Sequence, residues 1–200
     1  MLDVARDLLG RQVRSEVGGV VVRATLVEVE AYRGADDPGS HAFRGPTRRN
    51  ATMFGPPGHL YVYFTYGMHW CANVVCAAQG TAEAVLLRAA VVVDGAAAAA
   101  ERRPGSSVRE LARGPARLTK ALGIDGGLDG ADLVAGPVVL LPGEPVAASA
   151  VRTGPRVGVA GAGAPTPWRF WVDGAPEVSA YRPAVRRRRP AAGSAGTADG

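Results

Sequence analysis

The sequence predicts a single mixed α/β (α+β) domain with a curved, largely antiparallel sheet, helices packed outside it and a protruding β-hairpin. Three observations lead to this fold class. The chain has 200 residues, which fits one domain with a sizeable core, and it contains no internal repeat. Short alternating segments bounded by glycine and proline recur along it, which is typical of antiparallel strands. Alanine- and leucine-rich segments with helix start and stop residues lie among them.

The N-terminal part is expected to form one helix followed by strands. Residues 3–9 (DVARDLL) predict a short helix because Gly10 follows as a stop. Residues 33–58 are rich in Gly, Pro, Asp and Ser and predict a long loop, which in a compact domain is usually functional or disordered. The strands are predicted from alternation and turn residues, at 12–22 (a hairpin turning at Gly18-Gly19), 26–32, 60–65, 68–76 and 84–93.

The C-terminal half is expected to carry the outer helices and the remaining strands. Pro115 suits the first turn of a helix over 115–122, and Gly123 ends it. Further helices are predicted at 96–102 and at 108–113, the latter capped by Ser106 or Ser107. Strands are predicted at 138–141, 156–159 and 169–172. We expect the domain to span residues 1–183, followed by a basic, disordered tail over 184–200.

Composition narrows the cellular context and the partners. The net charge of +5 fits a polyanionic partner. The sequence has no run of about 18 apolar residues, so we expect no membrane span. It does not open with the charged and then apolar regions of a secretory signal peptide, so we do not expect secretion. The two cysteines are expected to be reduced thiols. We therefore expect a cytoplasmic monomer that reaches the nucleoid through DNA.

Residues 26–73 concentrate the side chains that can do chemistry. Glu28 and Glu30 share one face of the strand at 26–32, with Tyr32 beyond them and the valines on the core face. Neighbouring like charges raise at least one pKa, which suits a general base, although a solvated strand face is the simpler alternative. Tyr61 and Tyr63 share a face of the next strand, where they either pack or stack on a flat heteroaromatic ligand.

Basic and aromatic residues in the same region are candidates for nucleic-acid contacts. Tyr66 is predicted at a hairpin tip, where it either folds back onto the core or serves as a wedge between base pairs. Arg88 interrupts an apolar strand and needs an acidic partner, which either the Glu28/Glu30 face or a phosphate would supply. A further group of loop arginines either meets phosphates or is simply solvated: Arg44, Arg48 and Arg49.

Several other kinds of site are not supported by the sequence. The three histidines, His41, His59 and His69, have no spacing typical of a metal triad, so we expect no metal. The chain contains neither the glycine-rich phosphate-binding motifs nor a GxSxG nucleophile elbow. We therefore expect no cofactor.

An ordered set of motifs carries a family resemblance over roughly residues 3–182. The motifs are VEVEAYRG, DPGSHAFRG, TRRNATMFGPPGHLYVYFTYGMHWCANVV, AVLLRA, GPARLTKALGI, RVGV and PWRFWV. Together they resemble the alkyladenine (3-methyladenine) DNA glycosylases of the vertebrate and bacterial type. The resemblance implies a monofunctional enzyme, without lyase activity, that cuts the N-glycosidic bond of damaged purines in double-stranded DNA.

The resemblance also implies roles for individual residues. Glu30 matches the water-activating carboxylate of the family, and Arg88 matches the arginine near the water and the backbone phosphate. Tyr32 and Tyr63 match the rings that stack on the extruded base. His41 matches the residue that lines the pocket and reads the base edge through its backbone amide.

Four further residues match positions at the rim of the family's pocket. Asn73 matches the side chain that excludes the exocyclic amino group of guanine. Tyr66 matches the intercalating tyrosine that fills the gap left in the duplex. Met68 and His69 are then expected beside it in the minor groove.

Two other functions stay open at this point. One is a non-catalytic nucleic-acid-binding module, because a related fold binds tRNA in formyltransferases. The other is a hydrolase of free nucleosides or sugars that uses Glu28 and Glu30 as an acid and base pair. Release of a base from methylated duplex DNA, compared with release from a free nucleoside, separates all three.

Overall fold

One long central strand organises the fold. The structure is a computed structural model, and it describes residues 1–184. The sheet is antiparallel throughout and curls into a half-barrel, with three helices outside it, so the predicted fold class is confirmed. The helices are α1 (Leu2–Leu8), α2 (Ala96–Arg102) and α3 (Pro115–Leu122). The strands are β1 (Gln12–Val17), β2 (Val20–Arg33), β3 (Leu60–Thr65), β4 (His69–Val75), β5 (Glu83–Asp94), β6 (Val138–Leu141), β7 (Val151–Gly154) and β8 (Arg169–Val172).

Strand β2 pairs with three neighbours and therefore lies in the middle of the sheet. The strand order is β3-β4-β5-β2-β1-β6. Strand β1 pairs with β2 only as far as Thr25. Further along the same edge of β2, strand β8 pairs with Glu28, Val29 and Glu30. Strand β7 extends the sheet by pairing with β8. The predicted turn at Gly18-Gly19 joins β1 to β2, and both glycines have a positive φ, as a two-residue hairpin turn requires.

The alternation expected along β2 holds only in part. Leu26 was expected on the carboxylate face, but it packs in the same core cluster as Val29 and Ala31. The pairing of β2 with β5 has register shifts on either side of Glu28, and a bulge changes which face the following residues use. Because β2 is central, Glu28 and Glu30 are also completely buried, so the solvated-face alternative is wrong.

The main core lies between the sheet and the outer helices. Helix α3 contributes Leu118, Ala121 and Leu122, all fully buried, and ends at Gly123 in the left-handed conformation, as predicted. A smaller cluster under the 33–58 loop includes Ala42, Met53 and Tyr61. This second cluster gives the long loop a core of its own and places it against the rest of the domain.

Two predicted elements are wrong. Residues 108–113 form only a single 3-10 turn at Val108–Glu110: Ser107 makes no capping hydrogen bond, and the Ser106 hydroxyl accepts one from Arg103 instead. Residues 156–159 are not a strand; Arg156 turns its side chain into the interior, and the strand in this region is β7. Among residues 1–184, no helix has the length and apolar character to cross a membrane. Apart from residue 184, the predicted tail lies outside the described residues.

Candidate active site

A cavity of about 570 Å³ opens between the C-terminal half of β2, the β3–β4 hairpin, the 33–58 loop and residues 157–160. Its walls bring together nine of the residues singled out in the sequence, namely Glu30, Tyr32, His41, Tyr61, Tyr63, Tyr66, His69, Asn73 and Arg88. The predicted DNA-contacting residues Arg48, Arg49 and Met68 do not line it and are exposed on the adjacent loop and hairpin.

Glu30 is the carboxylate that lines this cavity. One oxygen, Oε2, accepts a hydrogen bond from the Tyr32 hydroxyl at 2.8 Å. The other, Oε1, accepts one from the backbone N–H of Val157 at 2.7 Å and lies 3.2 Å from Nη1 of Arg88. Two hydrogen bonds and one ion pair therefore orient the carboxylate, although no part of the residue is solvent-exposed. An oriented carboxylate of this kind can act as a general base.

Glu28 lies two residues away but has different surroundings. Its oxygens accept hydrogen bonds from Nε of Arg88 (2.9 Å), Nε of Arg169 (2.7 Å) and both the backbone N–H and the hydroxyl of Ser179 (2.7 and 2.8 Å). Burial alone would raise the pKa of Glu28, but the two guanidinium groups and the Ser179 N–H outweigh it and lower that pKa. The expectation that paired glutamates raise a pKa is therefore wrong for Glu28.

One aromatic wall of the cavity consists of His41, Tyr61 and Tyr63. The rings of His41 and Tyr63 meet edge to face, with centroids 4.4 Å apart, and Nδ1 of His41 lies 3.2 Å from the Tyr61 hydroxyl. Burial, with a smaller contribution from Arg49, lowers the pKa of His41. Burial also raises the pKa of Tyr61 to about 12 and that of Tyr63 further. This wall is therefore uncharged at neutral pH.

Tyr32 contributes another ring and is supported by a buried ion pair. The Cζ of Arg156 lies 4.6 Å from the centroid of the Tyr32 ring, a cation–π distance. Arg156 also forms a bidentate pair with Asp37, at 2.5 and 2.7 Å, and donates to the carbonyl of Ala31. Burial opposes ionisation of Asp37, but the hydrogen bonds from Arg156 lower its pKa overall. The pair thus joins the 33–58 loop to β2 and to the Tyr32 ring.

No signal in the sequence indicated the contacts that Arg156, Asp37 and one further residue, Asn50, make around the cavity. The Asn50 side chain, which is 2% exposed, donates to the carbonyls of His41 (2.9 Å) and Gly45 (3.1 Å). It therefore holds the backbone of the pocket loop around His41. A polar residue in a loop is usually exposed to solvent, so the sequence alone does not reveal that Asn50 is buried and bonded to the loop backbone.

Asn73 lies on β4, directly opposite Tyr61 in the pairing with β3. Its Nδ2 donates to the Tyr61 carbonyl at 3.0 Å, and the residue is 4% exposed. The side-chain amide is therefore fixed in the cavity wall by the sheet itself. Its bulk and polarity limit which substituents a ligand can carry at this place.

The tip of the β3–β4 hairpin projects from the cavity rim. Tyr66 is 83% exposed and Met68 is 67% exposed, so the alternative in which Tyr66 folds back onto the core is wrong. With φ of +52°, Tyr66 is the only non-glycine residue of the described chain in the left-handed region. Such strain at an exposed aromatic residue is typical of a functional position.

Arg49 connects the loop to this hairpin. Its Nη2 donates to the Phe64 carbonyl at 2.8 Å, and its Cζ lies 5.8 Å from the centroid of the Tyr63 ring. Arg48 and Arg44 lie in the same exposed part of the loop. The mouth of the cavity is therefore positively charged, which suits a polyanionic ligand. Within residues 1–184, no group of His, Cys, Asp or Glu side chains is arranged to hold a metal ion.

These features define a class of site: a ring-lined pocket with a buried carboxylate, a basic mouth and an exposed aromatic tip. Such a site can hold a flat base taken from a nucleic acid and present a carboxylate to it. A family model described as "Methylpurine-DNA glycosylase (MPG)" matches residues 1–176. The chain therefore belongs to the methylpurine-DNA glycosylase family, which confirms the family resemblance found in the sequence.

Curated relatives agree with the family match and cover nearly the whole chain. A protein of Streptomyces avermitilis is 54% identical over 193 residues, which is 94% of this chain and 91% of the relative. One of Leifsonia xyli subsp. xyli is 56% identical over 189 residues (90% and 88%), and one of Frankia casuarinae is 49% identical over 199 residues (94% and 92%). Each is named "Putative 3-methyladenine DNA glycosylase".

Proposed function

We propose that this protein is a base-excision-repair DNA glycosylase that hydrolyses the N-glycosidic bond of alkylated or deaminated purines of the 3-methyladenine type. The observation that carries this function is Glu30: the carboxylate has no solvent exposure, yet it lines a cavity walled by aromatic rings. The family membership and the names of the relatives support the same activity.

The pocket suits a purine that has left the double helix. A base inside a duplex hides its glycosidic bond, so the nucleotide must be extruded, at a cost of a few kcal/mol that is smallest for a damaged, poorly paired base. We assign the extruded purine to the space between Tyr32 and the His41/Tyr63 wall, where rings stack on it. Asn73, fixed in that wall, excludes purines with a bulky exocyclic group at the position it faces.

Glu30 activates the attacking water in this mechanism. Tyr32, Val157 and Arg88 hold the carboxylate in place, so it can take a proton from a water molecule directed at the sugar carbon. Attack from one side as the base leaves from the other gives inversion in a single displacement. Alkylation at N3 or N7 already makes the purine a good leaving group, so holding the base and the water is most of the task.

The hairpin and the loop supply the contacts with double-stranded DNA. Tyr66 enters the gap that the extruded nucleotide leaves, with Met68 and His69 beside it in the minor groove. The exposure of the Tyr66 and Met68 side chains supports this assignment. Arg48 and Arg49 bind the phosphate backbone near the lesion, which positions the duplex without reading its sequence.

The enzyme is expected to be monofunctional and to act as a monomer without a cofactor. Strand-nicking glycosylases use an amine to form a Schiff base with the sugar. Lys120, the single lysine of the chain, lies on α3 with an exposed side chain and does not line the cavity. Borohydride should therefore trap no covalent adduct with DNA, whereas a trapped adduct would show a lyase step.

The rival functions use the same site differently. A plain nucleic-acid-binding module has no need of a completely buried carboxylate beside a ring-lined cavity, because burying a charge is costly. A hydrolase of free nucleosides would need Glu28 as its acid, yet two arginines and Ser179 hold Glu28 in its charged form. The contacts of both glutamates therefore favour the glycosylase.

A base-release assay tests the proposal. Duplex oligonucleotides that each carry a single 3-methyladenine, 7-methylguanine, hypoxanthine or ethenoadenine are incubated with the protein, beside undamaged duplex and the free nucleosides. We expect release of damaged base from duplex DNA alone. Binding without release would favour the binding module, and release from free nucleosides would favour the nucleoside hydrolase.

A further inference from the structure

We propose that Glu28 is a positioning residue for Arg88, and that Ser179 completes this arrangement from the C-terminal segment of the domain. The inference deepens the proposed glycosylase function and rests on it. Glu28 is not assigned to contact the substrate. It acts by fixing the arginine that lies against the Glu30 carboxylate.

Four charged side chains form a closed cluster below the cavity. Glu28 and Glu30 have no exposure, and Arg88 and Arg169 are 5% and 4% exposed. Two negative and two positive charges balance within the cluster, which makes their burial tolerable. Removing Glu28 leaves Arg169 without its carboxylate partner, and removing Arg88 leaves Glu30 without its guanidinium partner, so the two inner charges support the two outer ones.

The guanidinium of Arg88 is held at all three of its nitrogens. Nε donates to Glu28 at 2.9 Å, Nη2 donates to the Ser179 hydroxyl at 3.1 Å, and Nη1 lies 3.2 Å from Oε1 of Glu30. An arginine side chain is long and has many rotamers, so two anchors away from Glu30 are what orient the third nitrogen towards it. Without Glu28, the orientation of Nη1 would no longer be fixed.

Glu28 is itself fixed from two sides of the cluster. Arg169 on β8 donates to Oε1 of Glu28, while its Nη2 donates to the Ser179 carbonyl at 2.6 Å. The N–H and the hydroxyl of Ser179 both donate to Glu28. Ser179 thus contacts Glu28, Arg88 and Arg169, and it is the residue through which the C-terminal segment joins the cluster.

Ser179 lies beyond the part of the chain that the family model matches, which ends at residue 176. The segment that carries it is held on the domain by two further arginines. Nε of Arg109 donates to the Pro176 carbonyl at 2.9 Å, and Nε of Arg113 donates to the Val178 carbonyl at 3.2 Å. The excision rate should therefore depend on a residue outside the matched family region and outside the cavity wall.

The test compares Ser179→Ala and Glu28→Gln with matched substitutions elsewhere, all in the full chain. Ser107→Ala and Glu144→Gln are the controls, because both positions are exposed and neither side chain belongs to the site. For each variant, single-turnover release of hypoxanthine from a duplex, equilibrium binding of the same duplex and the melting temperature are measured. Ser179→Ala removes two hydrogen bonds but no charge, so it remains informative if Glu28→Gln does not fold.

We expect excision to slow about 10- to 100-fold for Glu28→Gln, the range for losing a hydrogen bond to a charged group, and several-fold for Ser179→Ala. Binding of the lesion duplex should change by less than about threefold, because the substrate touches neither residue. In combination with Arg88→Lys, Ser179→Ala should add little further loss, since both changes remove the same orientation of Arg88.

Each alternative result has a distinct meaning. If Glu28→Gln and Ser179→Ala excise at the rates of the controls, the inference is overturned. It is also overturned if the combined variant loses the product of the two separate rate losses of Ser179→Ala and Arg88→Lys, because Ser179 then does not act through Arg88. Equal losses of binding and of excision would overturn it as well. If the unaltered protein releases no base from any damaged duplex, the proposed function itself fails, and the inference fails with it.

Discussion

The floor of the cavity, which is formed by Glu30 and its partners, and the tip of the β3–β4 hairpin, which carries Tyr66, differ in how their residues are held. Glu30 is completely buried, and two of its three partners, Val157 and Arg88, come from distant parts of the chain, while Tyr32 lies two residues along β2. Tyr66 is 83% exposed, and the backbone hydrogen bond across its turn, from Met68 to Thr65, spans only three residues. The floor is built by long-range contacts and the tip by local ones.

This difference matches the two tasks that the proposed function sets. A general base works when its position and charge are fixed before the substrate arrives, which needs many partners. A wedge must reach into a duplex, which needs an exposed ring on a narrow support. Substitutions at the floor should therefore affect excision or folding, whereas substitutions near the tip should affect DNA binding.

The largest effect is expected at the floor, for Glu30→Gln. Loss of the general base should slow single-turnover excision by about 10²- to 10⁴-fold, while binding of the lesion duplex stays close to normal. Glu144→Gln, an exposed glutamate away from the cavity, is the control. Excision by Glu30→Gln at a rate near that of the unaltered protein would reject Glu30 as the base.

The next effect concerns stability, for Asp37→Asn. Breaking a buried ion pair costs about 3 kcal/mol, so the free energy of unfolding at pH 7 should fall by roughly that amount. Because the folded-state pKa of Asp37 is lowered, the pair stabilises the protein above the unfolded pKa of about 4, and this contribution is lost as the pH falls below it. Urea denaturation at several pH values measures the difference between the two proteins.

The control for this prediction is the neighbouring exposed residue, Asp36. Asp36→Asn should leave the free energy of unfolding nearly unchanged at every pH. The difference in free energy of unfolding between the unaltered protein and Asp37→Asn should become smaller as the pH is lowered. A gap that stays constant from pH 7 to pH 3 would show that the charge of Asp37 does not stabilise the fold.

At the hairpin tip, Tyr66→Ser should weaken binding of lesion duplex about tenfold, because an aromatic ring stacked on bases contributes about 1–3 kcal/mol. The melting temperature should not change, since the ring makes few contacts with the folded protein. Fluorescence anisotropy with a labelled lesion duplex gives the affinity. Tyr181→Ser, at a half-exposed tyrosine outside the cavity wall, should bind normally, and equal affinities for both variants would reject the wedge.

The smallest effect is expected for Arg48→Ala beside the tip. One lost phosphate contact should lower affinity for damaged and undamaged duplex alike and reduce the slope of log affinity against log salt by about one. Titrations at several salt concentrations measure this slope. Arg11→Ala makes the same change of net charge at a half-exposed arginine that pairs with Asp7 and does not line the cavity, and it should leave the slope unchanged. An unaltered slope for Arg48→Ala would remove Arg48 from the DNA interface.

The parts of the molecule that the sequence predicted are those with a local signal. Strand β3, helix α3 and the exposed tip at Tyr66-Gly67 follow from alternation, capping and turn residues. Family motifs indicated the side chains of the cavity. In the charge cluster, the pairing of Arg88 with the Glu28/Glu30 face was expected from a charged residue in an apolar strand and is confirmed. Arg169 and Ser179 had no such signal, because they lie 141 and 151 residues beyond Glu28. Arg156, 119 residues from Asp37, is the same case.

The errors in secondary structure have a related cause. Residues 156–159 alternate like a strand, but the Arg156 side chain is buried by its pairing with Asp37, and the Val157 N–H bonds to Glu30 instead of a neighbouring strand. At Glu28, register shifts interrupt an alternation that the letters alone suggest is continuous. In both places, contacts required by the site replace the regular pattern of a sheet.

Because β2 pairs with strands on both sides, the sheet fixes the positions of the two glutamates. Glu28 and Glu30 face β5 on one side and β8 on the other, so both neighbours fix where each carboxylate lies along the strand. Successive residues of a strand point to opposite faces, and a slip of a single residue would exchange each acid for an adjacent valine or alanine. Deletions within this strand should therefore be far more harmful than deletions of equal length in surface loops, even where every side chain named above is retained.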